Sequence, residues 1–330
     1  MYTSARSAFA IAVGLGVPVL AIAACGDRTG LLVPEYLVVE PDGATVVFHP
    51  FPTEDANVPF DDVSLPPIDS TPQRDTSNPI CADASDTLVY AVTESNRLLR
   101  FDPPSGQFTT IGTINCPDPL GRSPFSMAVD RFGVAYVLYA QFQDPSPGSI
   151  FRVSLATASC EASQFVPGQD SFNSFGMAFS ANDIGTGETL YVASDDTANG
   201  RLGAIDETSL VLSEVGSFFP AAPAAELSGT ADGRLFAFFA PQGQGSSGMT
   251  IAQIDKKTAA LTAQNFLPNV NEGDAWAFAF WGGDFYLFTA PNDSSSIVTR
   301  YDPGSGALAQ VASWPERIVG AGVSTCAPAR

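Results

Sequence analysis

From Leu88 onward the chain is a succession of short apolar runs separated by clusters of Gly, Pro, Asp, Asn and Ser, and the runs recur with a long period. The run Trp276 to Phe280, WAFAF, has counterparts starting at Phe125, Phe175, Leu227 and Val319. Each of the first four is followed by an apolar run built around an aromatic residue: Tyr136, Tyr191, Phe236 or Tyr286. Tyr90 centres the same kind of run with no first pattern upstream. A third run ends in an apolar residue usually followed by Asp, as in Phe101-Asp102, Val153-Ser154, Ile205-Asp206, Ile254-Asp255 and Tyr301-Asp302. A turn with Gly or Thr and a weaker fourth run complete each copy. Apolar runs of this length between turn residues predict strands, and self-similarity at a fixed period predicts one small unit repeated along the chain.

Four short strands in a unit of roughly 45 to 50 residues is the signature of a propeller blade. The copies run out of phase. The first has only its second, third and fourth strands, and the chain closes with a lone first strand, IVGAGVS. The prediction is therefore an all-β fold, a five-bladed β-propeller of four-stranded antiparallel blades, closed by the C-terminal strand pairing with the N-terminal blade so that no edge is left between first and last repeats. In the first strands, Phe125, Phe175, Leu227, Trp276 and Val319 alternate with Ser126, Gly176, Ser228, Ala277 and Gly320. Alternation sends large and small side chains to opposite faces, which suits strands that crowd around an axis. The Asp residues that end the third runs are expected to open type I turns.

The N-terminal region has a different texture. Residues 7 to 24, SAFAIAVGLGVPVLAIAA, are uncharged but interrupted by Gly14, Gly16 and Pro18, which predicts a signal peptide over 1–24 rather than a spanning helix. Ile22-Ala23-Ala24-Cys25 resembles the lipobox of bacterial lipoproteins. That resemblance implies that Cys25 carries lipid on its sulfur, that the peptide before it is removed, and that the new amino terminus is acylated. More than one acyl chain gives stable anchoring. Gly26 rather than Asp after the cysteine implies, by the same resemblance, passage to an outer membrane. Residues 25–80 are rich in Pro, Asp, Ser and Thr and read as a tether, with one hairpin expected where Pro41-Asp42-Gly43 separates two β-rich runs. Residues 81–330 form the propeller. As a whole the chain resembles exported bacterial lipoproteins with a β-propeller domain, a likeness that carries over no functional residue except Cys25.

Charge and cysteine content sharpen this picture. A formal charge of -20 disfavours nucleic acid, and a single histidine, His49, excludes a histidine-based metal site or a Ser-His-Asp triad. Setting Cys25 aside leaves four cysteines in an exported chain. Cys81 precedes the first propeller strand and Cys326 follows the last, so ring closure brings them together. Cys116 ends one outer strand and Cys160 begins the next, a pair that strand twist around the rim brings tail to head. The chain is expected to be a monomer held to the membrane by its acyl chains.

Propeller ligand sites gather where the loops entering first strands meet those joining second to third strands. Asp118, Asp170, Glu226, Asp274 and Glu316 lie near those entries, about one acid per blade. Carboxylates so placed are chemistry for a cation, Ca²⁺ above all, or for an acid and base pair acting on a glycosidic bond. Their offsets from the strand starts differ, which favours ordinary loop acids, and no catalytic residue, metal or cofactor is assigned. The loop aromatics Phe142 and Phe172 are candidates for stacking on sugars. The function expected is a binding module for a protein or glycan partner in the cell envelope, with a carboxylate-dependent extracytoplasmic hydrolase or lyase as the alternative.

Overall fold

The computed structural model describes residues 37–39, 45–47, 87–141, 146–196, 198–240, 248–291 and 295–329. It divides into two units, Met1–Val63 and Ser64–Arg330. In the first, β1 (Leu37–Val39) pairs antiparallel with β2 (Thr45–Val47), with Val38 opposite Val46. Cys25, Cys81 and the expected signal peptide lie outside the described residues.

The second unit is built of strands. β3 (Val89–Thr93), β4 (Arg97–Asp102) and β5 (Gln107–Thr113) begin an incomplete blade I. Blade II is β6 (Ser123–Val129), β7 (Val134–Ala140), β8 (Ser149–Ser154) and β9 (Cys160–Ala162). Blade III is β10 (Phe175–Ala181), β11 (Glu188–Ser194), β12 (Arg201–Ile205) and β13 (Leu212–Ser217). Blade IV is β14 (Glu226–Gly229), β15 (Leu235–Phe239), β16 (Met249–Ile254) and β17 (Leu261–Leu267). Blade V is β18 (Trp276–Trp281), β19 (Asp284–Thr289), β20 (Ser296–Asp302) and β21 (Ala307–Trp314). The last strand, β22 (Ile318–Val323), completes blade I as its first strand, in the order β22-β3-β4-β5. Its register runs from Ile318 opposite Thr93 to Val323 opposite Val89, and the Glu94 N–H donates to the Arg317 carbonyl at 3.0 Å just beyond. Each first strand touches the next in the series β22, β6, β10, β14, β18 and back to β22, so five four-stranded sheets form a closed ring.

The hydrophobic interior is five interfaces rather than one core. Each of five buried clusters joins two neighbouring blades, as expected of a repeat whose units bury their faces only against one another. β18 shows how the alternation works. Ala277 and Ala279 pack with Phe101, Phe288 and Val323 between blades V and I, whereas Phe278 and Phe280 enter the cluster between blades IV and V. Phe278 lies 5.3 Å from Phe238, and Phe280 lies 5.5 Å from Phe236. Both faces of the strand are dry, and burying each Phe contributes about 1.5–3 kcal/mol. Gly282 and Gly283, at φ 62° and 92°, close the β18–β19 hairpin, a pair of positive φ values that side chains resist.

Small first-strand residues are needed for backbone clearance as well as for side-chain fit. A methyl group at Gly229 would overlap the Phe179 carbonyl of the neighbouring first strand, and one at Gly320 would lie 2.8 Å from the Met127 nitrogen. β14 is shorter than its sequence pattern implies and ends at Gly229. Thr230 has left the ladder: its hydroxyl accepts from the Arg234 N–H at 2.9 Å and shapes the β14–β15 turn.

The rim is fastened at its weakest point. β9 has only three residues, and the Cys116–Cys160 disulfide ties its start to the end of blade I, across a Cα separation of 5.1 Å. Closing a loop of 44 residues stabilises the fold by about 4 kcal/mol in the chain-entropy model. Cys326 lies buried after β22, also held in a disulfide; Cys81, its expected partner, is not among the described residues. The third-strand acids behave as expected of turn residues: Asp206, Asp255 and Asp302 each accept from two backbone N–H groups two and three residues on.

The inter-strand clearance makes a prediction. Gly229→Ala should lose about 3 kcal/mol or more, or fail to fold, because a carbonyl must move. Gly121→Ala, at positive φ but in open space, should lose only about 1 kcal/mol. Denaturant titration of the two variants separates these cases, and equal losses would contradict the account.

Candidate functional site

The loops that enter first strands occupy one end of the ring, here the upper end, together with the connections between second and third strands. The acids expected there are placed one blade apart, and three of them, Glu316, Asp118 and Asp170, have carboxylates bonded within their own blades. In blade I, Glu316 accepts from Arg97 Nε at 2.8 Å and from the Ser95 hydroxyl at 3.0 Å. In blade II, Asp118 accepts from Arg122 Nε and Nη2 and from the backbone N–H groups of Leu120 and Arg122. Arg122 continues to the Ser149 hydroxyl, at 2.9 Å, and to the Pro147 carbonyl at the start of the third strand. In blade III, Asp170 sits in a short 3-10 turn, Gln169–Ser171, where its carboxylate accepts from the Glu214 N–H at 3.2 Å. The carbonyls of Asp170 and Ser171 accept from Arg201, which also pairs with Asp196 and Glu214. In blade V, the Asp274 N–H donates to the Ala290 carbonyl at 3.1 Å.

Three arginines therefore do the same work. Arg97, Arg122 and Arg201 each bind the loop entering a blade to the start of that blade's third strand. Two of them are the first residue of that strand, and the repeated Asn96-Arg97-Leu98 and Gly200-Arg201-Leu202 are the sequence signal that marks them. Their energetics differ with exposure. The Asp118 and Arg122 side chains are only 2% and 7% exposed, so losing either one strands a buried charge. Arg97 and Glu316 are 47% and 28% exposed, and water screens their attraction. Burial acts to raise the pKa of Asp118, but hydrogen bonds from Arg122 and Leu120 outweigh it and hold the carboxyl below its usual range. Glu316 shows the same balance, lowered by Ser95, Trp314 and Arg97 against burial.

Glu226 is the exception. It begins β14 with its backbone against Gly176 and is 4% exposed. Its carboxyl accepts from the Ser126 hydroxyl at 2.8 Å, and that hydroxyl accepts from the Met177 N–H at 3.1 Å. One chain of bonds thus joins blades IV, II and III inside the ring. With no cation beside it, burial raises the Glu226 pKa well above the ordinary range, only partly offset by Ser126. Through Ser126, this buried carboxyl helps to join the three blades.

Among the described residues, no group of three or more His, Cys, Asp or Glu side chains is placed to hold a metal ion. Phe172, read as a sugar-stacking candidate, is fully buried, with the Arg201 guanidinium 4.6 Å above its ring. The chain turns inward there because Phe175, Leu210 and Leu212 offer an apolar seat. Phe142 lies outside the described residues.

The lower end holds a charged cluster without a counterpart in the sequence pattern. Glu188, the first residue of β11, accepts from the Arg131 N–H at 2.8 Å and from the Thr325 hydroxyl, and its carboxylate lies 3.4 Å from Arg131 Nε. Asp130 accepts from the N–H groups of Phe132 and Val134. Burial raises both acids despite these bonds. Glu207, in the β12–β13 turn, is pushed up to about 7, first by burial and then by the like charges of Glu188 and Asp130. The signals for this cluster were an Asp-Arg pair in one turn and a Glu opening a second strand, neither of which repeats in other blades.

No protein-family model matches the chain, and no curated protein matches it. Similar folds occur among solved structures. A chain of a nidogen/laminin complex is 14% identical over 74% of this chain and 83% of its own length, with a TM-score of 0.42. TolB from Acinetobacter baumannii is 15% identical over 69% and 53%, TM-score 0.39. An exo-β-1,3-galactanase from Phanerochaete chrysosporium is 12% identical over 67% and 53%, TM-score 0.43. The chain thus spans about half the length of the last two, and identities this low carry no site residue across.

Two substitutions test the site energetics. Arg122→Ala should cost about 3–5 kcal/mol by leaving Asp118 buried and unpaired, whereas Arg97→Ala should cost about 1 kcal/mol or less; comparable losses would contradict the burial argument. For Glu226 the folded pKa is raised, so its contribution is complete below the unfolded value and is lost as pH rises through the folded one. Glu226→Gln should therefore be more stable than wild type at high pH, with the difference shrinking as pH falls toward the unfolded carboxyl range. A variant destabilised equally at every pH would overturn the raised carboxyl.

Proposed function

We propose that this chain is a lipid-anchored β-propeller of the cell envelope, in the outer membrane, that serves as a binding module for a protein or glycan partner. The observation that carries this reading is the fate of four of the five upper-end acids. Glu316, Asp118 and Asp170 are bonded into their own blades, and Glu226 is sealed inside the ring. Glycoside cleavage needs two carboxyls facing one bond, about 5 to 10 Å apart, one holding a proton and one without. Asp118, paired with Arg122 and lowered by it, and Glu226, raised by burial but only 4% exposed, do not offer that arrangement to a substrate. What remains is a rigid ring that holds the connecting loops of its upper end in fixed relation, which is the property a recognition surface needs. The membrane half of the proposal rests on Ile22-Ala23-Ala24-Cys25 and the tether that follows it.

Two experiments address the halves separately. Cys25→Ser should move the protein from the membrane fraction to the soluble one and abolish incorporation of labelled fatty acid; unchanged fractionation would refute the anchor. The full chain, solubilised in detergent and presented with envelope proteins and glycans, should retain a partner without altering it. Glycan cleavage that disappears in Asp118→Asn or Glu226→Gln would replace the binding reading with the hydrolytic one.

A further inference from the structure

The chain enters the ring at its lower end. β3 is a second strand, so its first residue, Val89, lies where β22 finishes, opposite Val323. Just before it, the Thr87 carbonyl accepts from Nε1 of Trp281, the last residue of β18, at 2.6 Å. Everything N-terminal to Thr87, Cys25 included, is therefore joined to the ring from below. The covalent chain between Cys25 and Thr87 spans at most about 200 Å, so a bilayer holding Cys25 is within reach of the ring.

The same end presents two large apolar side chains on adjoining turns. Phe132, in the β6–β7 turn, is 66% exposed, and Ile184, in the β10–β11 turn, is 91% exposed. Arg131 fastens the two turns together: its N–H donates to Glu188 at 2.8 Å, and its guanidinium donates to the Thr186 and Gly187 carbonyls. Each turn is also closed on itself, by the Gly133 N–H on the Asp130 carbonyl at 3.2 Å and by the Asn182 N–H on the Gly187 carbonyl at 2.9 Å. Neighbouring charges are largely paired. Asp183 lies 2.8 Å from Lys256 and 3.3 Å from Lys257, and Arg131 and Glu188, side chains 7% and 1% exposed, pair with each other. Lys257 is 80% exposed, while Glu207 acts on Glu188 and Asp130 and so brings negative charge to the same sector. Apolar tips with both signs of charge around them match a lipid headgroup that itself carries both signs.

We propose that Phe132 and Ile184 are a lipid-contact site, seated in the headgroup region of the membrane that holds Cys25, so that the ring stands on its lower end with its upper loops turned outward. This rests on the lipid anchor at Cys25 and goes beyond it, because an anchor on a long tether fixes no orientation. Two side chains bury too little apolar surface to hold a protein on a bilayer unaided. A chain already tied to that bilayer meets it at high effective concentration, and a weak contact is then enough. The recognition surface at the upper end is left open to a partner.

The test uses the full lipidated chain in phosphatidylcholine vesicles, with and without bromine on the acyl chains, bromine being a short-range quencher of tryptophan. Ile184→Trp and Leu120→Trp each add one tryptophan at an exposed position, Leu120 lying in the upper entry loop and 63% exposed; wild type supplies the background of its three tryptophans. The emission added by Ile184→Trp should fall by about half in brominated vesicles, as for an apolar face seated about 5–10 Å into the headgroup boundary. That added by Leu120→Trp should not change, and equal quenching of the two would overturn the orientation. Combining Phe132→Ser with Ile184→Trp should weaken the quenching, whereas a tryptophan inserting by its own affinity would be quenched as before, which would overturn the paired contact. Vesicle flotation reads the anchor separately: a chain that does not float removes the anchor and the proposal with it. A chain that floats with the added tryptophan unquenched overturns the lipid contact and leaves the anchor standing, and shielding of that tryptophan from aqueous acrylamide would then assign the patch to a second copy of the chain.

Discussion

Everything in this fold depends on the pairing of β22 with β3. The chain enters the ring at the second strand of a blade whose first strand is its own last strand, so blade I does not exist until both ends of the propeller have met. Each interface between blades buries apolar surface only if both blades are present. Without the closing pair, blades I and V would lose the cluster containing Phe101, Phe288, Ile318 and Val323, and two blades would be left with open flanks. Closure also places the residues after β22 at the lower end, where Thr325, Pro328 and Ala329 bond to other blades.

Polar groups inside the ring serve the same end. Ser126, Ser228 and Ser296 each accept from a backbone N–H of a neighbouring blade, those of Met177, Phe280 and Ile318. A first strand surrounded by other strands has N–H groups that water does not reach, and a short hydroxyl satisfies them without enlarging the strand. Serine at the small first-strand positions 126 and 228 is thus a hydrogen-bonding choice as well as a steric one. Glu226 extends the principle across three blades through Ser126, and its burial raises the pKa of its carboxyl.

The architecture was legible in the sequence because it is periodic. The five first strands, the phase shift, the closing strand and the Cys116–Cys160 pair all follow from patterns that recur or from positions defined by the recurrence. The side-chain clips were less legible because they depend on contacts with no period. Arg97 meets Glu316 over more than two hundred residues, and Arg131 meets Thr325 over nearly as many. The acids near the strand entries stood out because they recur roughly once per blade, yet what each one does is decided by a neighbour that does not recur: Arg122 for Asp118, the Glu214 N–H for Asp170, Ser126 for Glu226. Phe172 looked like a loop aromatic until the fold placed Phe175 and Leu212 beneath it.

Closure is tested most directly by removing and restoring the closing strand. The full chain cut after Glu316 should lose its cooperative unfolding transition, with the amides of β3 exchanging freely, and adding the peptide 317–330 in trans should restore both. A shortened chain that unfolds cooperatively at the denaturant midpoint of the intact protein would contradict the account.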